Sequence, residues 1–316
     1  MAWRLVETPP AEIVPERVYA EFFDLQGVPF SITPDPRFLF LSGTHIAALE
    51  KISYGIKGCM GFMLLTGEVG TGKTTLCRVL LDQLGERART VYVINPALSG
   101  LELLTCILED LGIPCDAQAS KKQLLDLLNR FLLSYAHSRP VVIIIDDAQS
   151  MPLETLEDLR LLSNLETDRL KLLQMLLVGQ PELVTRLDRP EMRQLKQRIA
   201  VHCRLAFLTC DEVGRYIEKR LIVAGNQGQV RFDLKAVRRV HQISAGIPRM
   251  INKICDWALT AAYTTDSRVV TEHHVRRASE ELVTAAASSY GGARRLLAWK
   301  GEFLRRMVSR SRGGAR

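Results

Sequence analysis

The sequence predicts an α/β fold in which a parallel five-stranded sheet is wrapped by helices and followed by a small all-helical lid. Three observations carry this prediction. A glycine-rich segment at 67–75 lies between an apolar run and an amphipathic helical pattern. Apolar runs and helical patterns then alternate up to about residue 207, an order typical of parallel sheets. From residue 211 onward only helical periodicity remains.

The predicted elements follow in chain order. Strands are expected at 61–66, 90–94, 141–145, 172–178 and 200–207. Helices between them are expected near 45–54, 101–111, 123–137 and 153–165. The lid helices are expected at about 211–224, 233–243, 248–263 and 271–283, with Asp211, Asp233 and Thr271 as N-caps.

Four segments divide the chain. We expect a flexible N-terminal segment at 1–18, an α/β domain at 19–208, the helical lid at 209–283 and a basic amphipathic tail at 284–316. Aromatic residues between 20 and 60 are expected to pack a strap onto the core.

The segment Gly-Glu-Val-Gly-Thr-Gly-Lys-Thr-Thr has the spacing of a phosphate-binding loop. Its glycines let the backbone curl so that successive N–H groups face an anion at the start of the next helix. Lys73 is expected to neutralise the β- and γ-phosphates of ATP, and Thr74 to bring its hydroxyl to Mg²⁺. The predicted nucleotide contacts are Gly67, Glu68, Val69, Gly70, Thr71, Gly72, Lys73, Thr74 and Thr75.

Two carboxylates follow the apolar run at 141–145, as in a Walker B strand. Asp146 is expected to hold Mg²⁺ through water, and Asp147 to polarise the water that attacks the nucleotide. An apolar strand ending in Asp is common, but its pairing with the phosphate loop makes the assignment specific.

Composition excludes several classes of protein. With 316 residues and 47% hydrophobic content, the chain can bury a sizeable core and is not a disordered protein. No apolar run reaches the ~20 residues of a membrane span, and the N-terminus lacks a secretory h-region. The seven cysteines form no C-x-x-C pair. We therefore expect reduced core thiols, no structural zinc and a cytoplasmic protein, with peripheral contact at the inner face of the cytoplasmic membrane as an option.

The net charge of +7 is located entirely in residues 284–316, where seven arginines and Lys300 face only Glu302. Within this tail, residues 294–312 have apolar side chains at helical spacing and arginines on the other face. Such a helix can bind an anionic membrane surface, dock on an envelope-complex protein or contact nucleic acid, and it can also be a solubilising tail.

Seven motifs in order identify the chain as resembling the AAA+ ATPases of the ExeA, or general secretion pathway protein A, family. Besides the phosphate loop and the Asp146-Asp-Ala-Gln motif, the first is the segment from Phe23 to Phe38. The others are Leu159-Arg-Leu-Leu-Ser-Asn-Leu-Glu-Thr, Leu177-Val-Gly-Gln-Pro-Glu-Leu, Gln194-Leu-Lys-Gln-Arg-Ile and Gly246-Ile-Pro-Arg-Met-Ile-Asn. The resemblance covers about residues 19–283.

The resemblance implies further site residues. Gln180 is expected to be the sensor that contacts the γ-phosphate region or orients water. Arg198 resembles the arginine finger that enters a neighbouring subunit's site, with Arg193 as the second choice. Arg249 in the Gly-Ile-Pro-Arg motif resembles the second sensor of the lid. A cation in the first turn of a helix is unfavourable unless an anion lies nearby, and this favours a phosphate partner for Arg249.

One position departs from the family pattern, which has Asp-Glu-Ala-Gln where this chain has Asp146-Asp147-Ala148-Gln149. The shorter side chain withdraws the base by roughly 1.5 Å, and a misplacement of about 1 Å can cost on the order of 100-fold in rate. We therefore expect secure ATP binding and modest turnover.

The leading hypothesis is an ATP-hydrolysing switch that assembles into a ring or filament and acts on a secretin, pilus or exopolysaccharide export system. A transposition-type regulator that binds DNA in an ATP-dependent manner is the alternative, since such regulators share this core. A third is a nucleotide-gated scaffold that rarely cleaves ATP. The neutral charge of residues 1–283 speaks mildly against DNA.

Overall fold

The computed structural model describes residues 19–33, 35–116, 118–135, 139–162 and 171–289. The expected flexible segment 1–18 and the basic segment 294–312 lie outside these residues, as does the motif from Leu159 beyond position 162. The chain divides into two compact units. The first contains Asp35–Leu208 and Ile247–Arg249, and the second contains the described parts of Glu16–Pro34, Thr209–Gly246 and Met250–Arg316.

Five parallel strands form the sheet of the first unit, and this confirms the predicted α/β class. They are β1 (Phe62–Thr66), β2 (Arg89–Val93), β3 (Val141–Ile145), β4 (Leu173–Gly179) and β5 (Ile199–Arg204). Their spatial order is β2-β3-β4-β1-β5, and every pair is parallel. β4 therefore lies between the strand that precedes the phosphate loop and the strand that ends in the two carboxylates.

Helices cover both faces of this sheet. They are α2 (Gly43–Lys57), α3 (Lys73–Leu84), α4 (Gly100–Asp110), α5 (Lys121–Tyr135), α6 (Leu153–Leu162), α7 (Pro181–Leu187) and α8 (Arg193–Gln197). Alternate residues of β3 point to opposite faces. Ile143 packs in one core with residues of α4, α5, α6 and α7, whereas Ile144 packs in a second core with residues of α2 and α3.

The second unit is helical, with one addition that the sequence analysis missed. Its helices are α1 (Tyr19–Phe22), α9 (Cys210–Val223), α10 (Leu234–Ser244), α12 (Glu272–Ser289) and the part of α11 (Pro248–Tyr263) from Met250 onward. Two short parallel strands, β6 (Arg231–Phe232) and β7 (Val269–Val270), pair with each other. Strands of two residues carry no readable alternation, so periodicity could not find them.

The aromatic strap differs from the expected domain boundary, because residues 19–33 belong to the second unit. The hydroxyl of Tyr19 donates to Asp256 at 2.6 Å, and both Arg220 and Asn252 donate to the carbonyl of Ser31. These buried polar groups are hydrogen-bonded to residues of α9 and α11, which gives the strap its place on the helical unit.

The N-cap of α9 also differs from the prediction. Thr209, and not Asp211, accepts a hydrogen bond from the N–H of Glu212, whose carboxylate in return accepts from the N–H of Thr209. This reciprocal pair is a capping box, which satisfies two amides at once. Asp233 caps α10 as expected, accepting from Ala236 at 2.6 Å.

The described part of the chain contains no helix that is both long and apolar enough to cross a membrane.

Candidate nucleotide site

The phosphate loop connects β1 to α3 at the carboxyl edge of the sheet. Gly70 and Gly72 have φ values of 80° and 90°, in the left-handed region that glycine enters without strain. A β-carbon added at Gly67 would lie 2.7 Å from Oγ1 of Thr71. The loop therefore needs glycine at these positions, and it folds back on itself as a phosphate cradle does.

Lys73 is the first residue of α3, and its side chain points back over the loop. Its Nζ donates to the carbonyls of Gly67 and Glu68, at 2.8 and 3.1 Å. Burial lowers the pKa of Lys73, and the nearby carboxylates of Asp146 and Asp147 oppose this shift. The ammonium is thus held at the mouth of the cradle, where an anion would compensate for its desolvation.

Thr74 and Asp146 meet at the end of the loop. The hydroxyl of Thr74 donates to Oδ2 of Asp146 at 2.7 Å, and the N–H of Asp147 donates to Oδ1 at 2.9 Å. Asp146 is only 3% exposed. A hydroxyl and a carboxylate are the hard oxygen donors that Mg²⁺ prefers, so the residues present fit this ion.

Tyr92 on β2 is a site residue that the sequence analysis missed. Its hydroxyl donates to Oδ2 of Asp146 at 3.0 Å. Burial, with a contribution from the charge of Asp146, raises the pKa of Tyr92, so the phenol keeps its proton and acts as a donor. Only the pairing of β2 with β3 reveals this contact, because Tyr92 stands in no motif.

Gln149 links the ends of β3 and β4. Its Nε2 donates to Oδ1 of the exposed Asp147 at 3.0 Å, and its Oε1 accepts from the backbone N–H of Gln180 at 3.0 Å. The guanidinium of Arg186 donates to the carbonyls of Gln149 and Met151 and so fixes this turn. The motif Asp146-Asp-Ala-Gln contained this residue, but its contacts depend on the position of β4.

Gln180 follows β4 directly and is the N-cap residue of α7, with its side chain half-buried. Because β4 lies between β1 and β3, Gln180 shares the carboxyl edge with the phosphate loop and with Asp146. The N–H of Gly67 donates to the carbonyl of Gly179 at 3.2 Å, which ties this strand end to the loop.

The three predicted arginines have different surroundings. Arg198 is half-buried beyond the end of α8 and donates to the carbonyl of Arg160 at 3.3 Å, whereas Arg193 is exposed in the first turn of α8. Arg249 is exposed, and its Cβ would lie 3.2 Å from a β-carbon added at Gly70. The structure thus brings the backbone of Arg249 to the phosphate loop and connects Arg198 to α6.

Comparison with known proteins gives this site its context. Residues 59–187, which include the loop, the carboxylates and Gln180, match the model of the AAA domain family. Over 266 residues the chain is 44% identical to general secretion pathway protein A of Aeromonas hydrophila, a match that covers 84% of this chain. The chain belongs to the AAA+ ATPases of this type.

The chain spans 48% of the length of that relative. Solved structures with the same fold include Cdc6p from Pyrobaculum aerophilum, with 19% identity, a TM-score of 0.61 and coverage of 80% of this chain and 70% of that one. The Aeropyrum pernix ORC1 protein in complex with DNA has 18% identity, a TM-score of 0.58 and coverage of 83% and 72%. At these identities the likeness shows the fold alone.

Proposed function

We propose that this AAA+ protein binds ATP with Mg²⁺ in the phosphate loop and hydrolyses it slowly. The observation that carries the proposal is the 2.7 Å contact between the hydroxyl of Thr74 and the carboxylate of Asp146, whose charge acts on the ammonium of Lys73. Thr74 and Asp146 would hold Mg²⁺, which supplies positive charge to neutralise the phosphates.

The residues of this chain have separate roles in the proposed reaction. Lys73 exchanges its two carbonyl partners for phosphate oxygens, so its charge is already in position before the nucleotide binds. Asp147 accepts a proton from the attacking water or orients it, while Gln149 restricts the carboxylate through its amide. Gln180 and Arg249 extend the contacts to the γ-phosphate region from the ends of β4 and from the start of α11.

Turnover is slow in this proposal because Asp147 is shorter than the glutamate of the family pattern.

Arg198 completes the site of a neighbouring copy, and the protein therefore assembles into a ring or filament. A mixture of Lys73→Ala and Arg198→Ala proteins tests this arrangement, because each copy lacks a different part of the shared site. Recovery of phosphate release on mixing is expected, and no recovery at any ratio argues against action in trans.

We further propose that the switch acts on a cell-envelope assembly, peripherally at the inner face of the cytoplasmic membrane. This rests on the likeness to general secretion pathway protein A, about half of whose length the chain spans. The arginines of residues 294–312 would provide the contact with anionic lipid or with an envelope protein.

Two experiments test these proposals separately. ATP with Mg²⁺ should raise the melting temperature of the wild-type protein, since a ligand at 100 times its Kd adds ~2.7 kcal/mol to stability. Lys73→Ala should lose this rise, and a wild type without it would overturn the nucleotide proposal.

Sedimentation with anionic vesicles or duplex DNA then compares the full chain with a variant in which Arg294, Arg295, Arg305 and Arg306 are Gln. Vesicle binding lost in the variant supports the envelope role, whereas ATP-dependent, salt-sensitive DNA binding by both proteins would replace it with the DNA-binding alternative.

A further inference from the structure

His45 on α2 contacts the phosphate loop, although no motif in the sequence marked it. The residue is 5% exposed, and its Nε2 lies 2.9 Å from the carbonyl oxygen of Thr71. A β-carbon added at Gly72 would lie 2.9 Å from the same nitrogen. The ring therefore packs directly against the Thr71–Gly72 peptide, which lies in the middle of the loop sequence 67–75.

The partners of His45 fix its tautomer. A carbonyl oxygen can only accept, so Nε2 must carry a proton and donate to Thr71. The backbone N–H of Ser42 can only donate, and it points to Nδ1 at 3.3 Å, while the hydroxyl of Ser42 lies 2.6 Å from the same nitrogen. Nδ1 therefore accepts, and the ring is a neutral imidazole with both nitrogens hydrogen-bonded.

The contact between His45 and the carbonyl of Thr71 controls the direction of the N–H of Gly72, which belongs to the same peptide. The described residues contain no cis peptide bond, and in a trans peptide the C=O of one residue and the N–H of the next point in opposite directions. When His45 holds the carbonyl of Thr71 on the outside of the loop, the N–H of Gly72 must point to the inside. Glycine itself offers little resistance to rotation of this peptide, since it adopts positive and negative φ almost equally well.

Thr71 is also fixed from its other side. Its N–H and its hydroxyl both contact the carbonyl of Glu68, at 3.3 and 2.8 Å. The Thr71–Gly72 peptide is thus anchored at Thr71 by the loop and at its carbonyl by His45. Ser42 and His45 form the capping box at the start of α2, so the rigid end of this helix supports the ring.

We propose that His45 is a positioning residue of the phosphate loop, which keeps the amide of Gly72 directed at the bound phosphate. The proposal rests on the nucleotide site described above and adds a residue that prepares the loop before the nucleotide arrives. Preorganised donors bind an anion more tightly because no ordering has to occur on binding.

Three variants test the reach of the side chain. His45→Asn keeps a polar amide, but that amide is too short to reach Thr71. His45→Gln carries its amide nitrogen at the same number of bonds from the backbone as Nε2, and Gln is a common residue at this position of a capping box. The matched control is His274→Asn, because His274 accepts at Nδ1 from the N–H of Thr271 at 3.0 Å and pairs Nε2 with Thr265 at 3.0 Å, in the second unit.

The Kd for a fluorescent ATP analogue is measured for each protein, together with the melting temperature. His45→Asn should raise Kd by about five- to tenfold, the effect of one hydrogen bond, while His45→Gln should stay near the wild type. His274→Asn should lower the melting temperature without changing Kd. Wild-type affinity in His45→Asn, or an equal loss in His45→Gln, would overturn the proposal.

Hydrogen exchange of the segment 67–75 without nucleotide provides a second measurement. Exchange should be faster in His45→Asn than in the wild type and unchanged in His274→Asn. Equal protection in all three proteins would also overturn the positioning role. A wild-type protein that binds no nucleotide would instead contradict the proposed function, and hydrogen exchange would still decide the role of His45.

Discussion

Replacing Asp147 by Glu restores the carboxylate length of the family pattern. The carboxylate of Asp147 follows β3, is exposed, and accepts from Nε2 of Gln149 at 3.0 Å. One additional methylene moves the carboxylate outward by roughly 1.5 Å, and a shift of about 1 Å in a reacting group can change a rate by on the order of 100-fold. We therefore expect kcat for ATP hydrolysis to rise by about 10- to 100-fold. The rise is smaller than the full factor if the contact with Gln149 has to break before the longer side chain reaches its position.

The backbone predicts an opposing effect on stability. Asp147 has φ of 52° and ψ of 35°, a left-handed conformation that Asp and Asn tolerate better than Glu. A side chain without this local preference costs roughly 1 kcal/mol there. Asp147→Glu should therefore be the faster enzyme and the less stable protein, with a melting temperature below that of the wild type.

Phosphate release at saturating ATP and Mg²⁺ measures the rate, and thermal unfolding without nucleotide measures the stability. Asp147→Asn is the control, since it keeps the side-chain length and the left-handed preference but removes the base. It should hydrolyse ATP more slowly than the wild type at an unchanged melting temperature. Hydrolysis by Asp147→Glu that is no faster than that of the wild type would refute the argument from carboxylate length.

Three further predictions concern the binding site. Tyr92→Phe removes a hydrogen bond to Asp146 and should raise the Mg²⁺ concentration for half-maximal nucleotide binding by about three- to tenfold; an unchanged Mg²⁺ titration would show that the phenol does not position the carboxylate. Gly72→Ala should lose the ATP-induced rise in melting temperature, because φ is 90° and the methyl group would lie 2.9 Å from His45; a retained rise would contradict the tight packing of this loop. Lys73→Met should raise the melting temperature without nucleotide, since burial lowers the pKa of Lys73 below 10.5. Between that lowered pKa and 10.5 the unfolded chain binds more protons, so wild-type stability should rise with pH relative to the variant. A difference in melting temperature between the two proteins that stays constant as the pH rises to 10.5 would disprove this.

Most of the strands of the first unit could be predicted from local sequence patterns. The run at 141–145 became β3 with the same bounds, the strand expected at 61–66 begins one residue later, and the strand expected at 90–94 both begins and ends one residue earlier. Such runs are read correctly because a strand buried on both faces must be apolar throughout. The sequence-based predictions were less accurate where a contact between residues distant in sequence decides the structure. The pairing of β6 with β7 was not predicted, and neither was the place of the strap, which the hydrogen bond from Tyr19 to Asp256 fixes.

The sequence by itself predicted the chemistry proposed for the site, because the loop from Gly67 to Thr75 and the carboxylates after β3 are local patterns whose residue types suit phosphate and metal. The tertiary structure decided which other groups hold these residues in place. Placing β4 between β1 and β3 brings the N–H of Gln180 to Gln149, and pairing β2 with β3 brings Tyr92 to Asp146. Packing of α2 brings His45 to Thr71. Strand order and helix packing depend on the fit of distant side chains, and no periodicity along the chain records that fit.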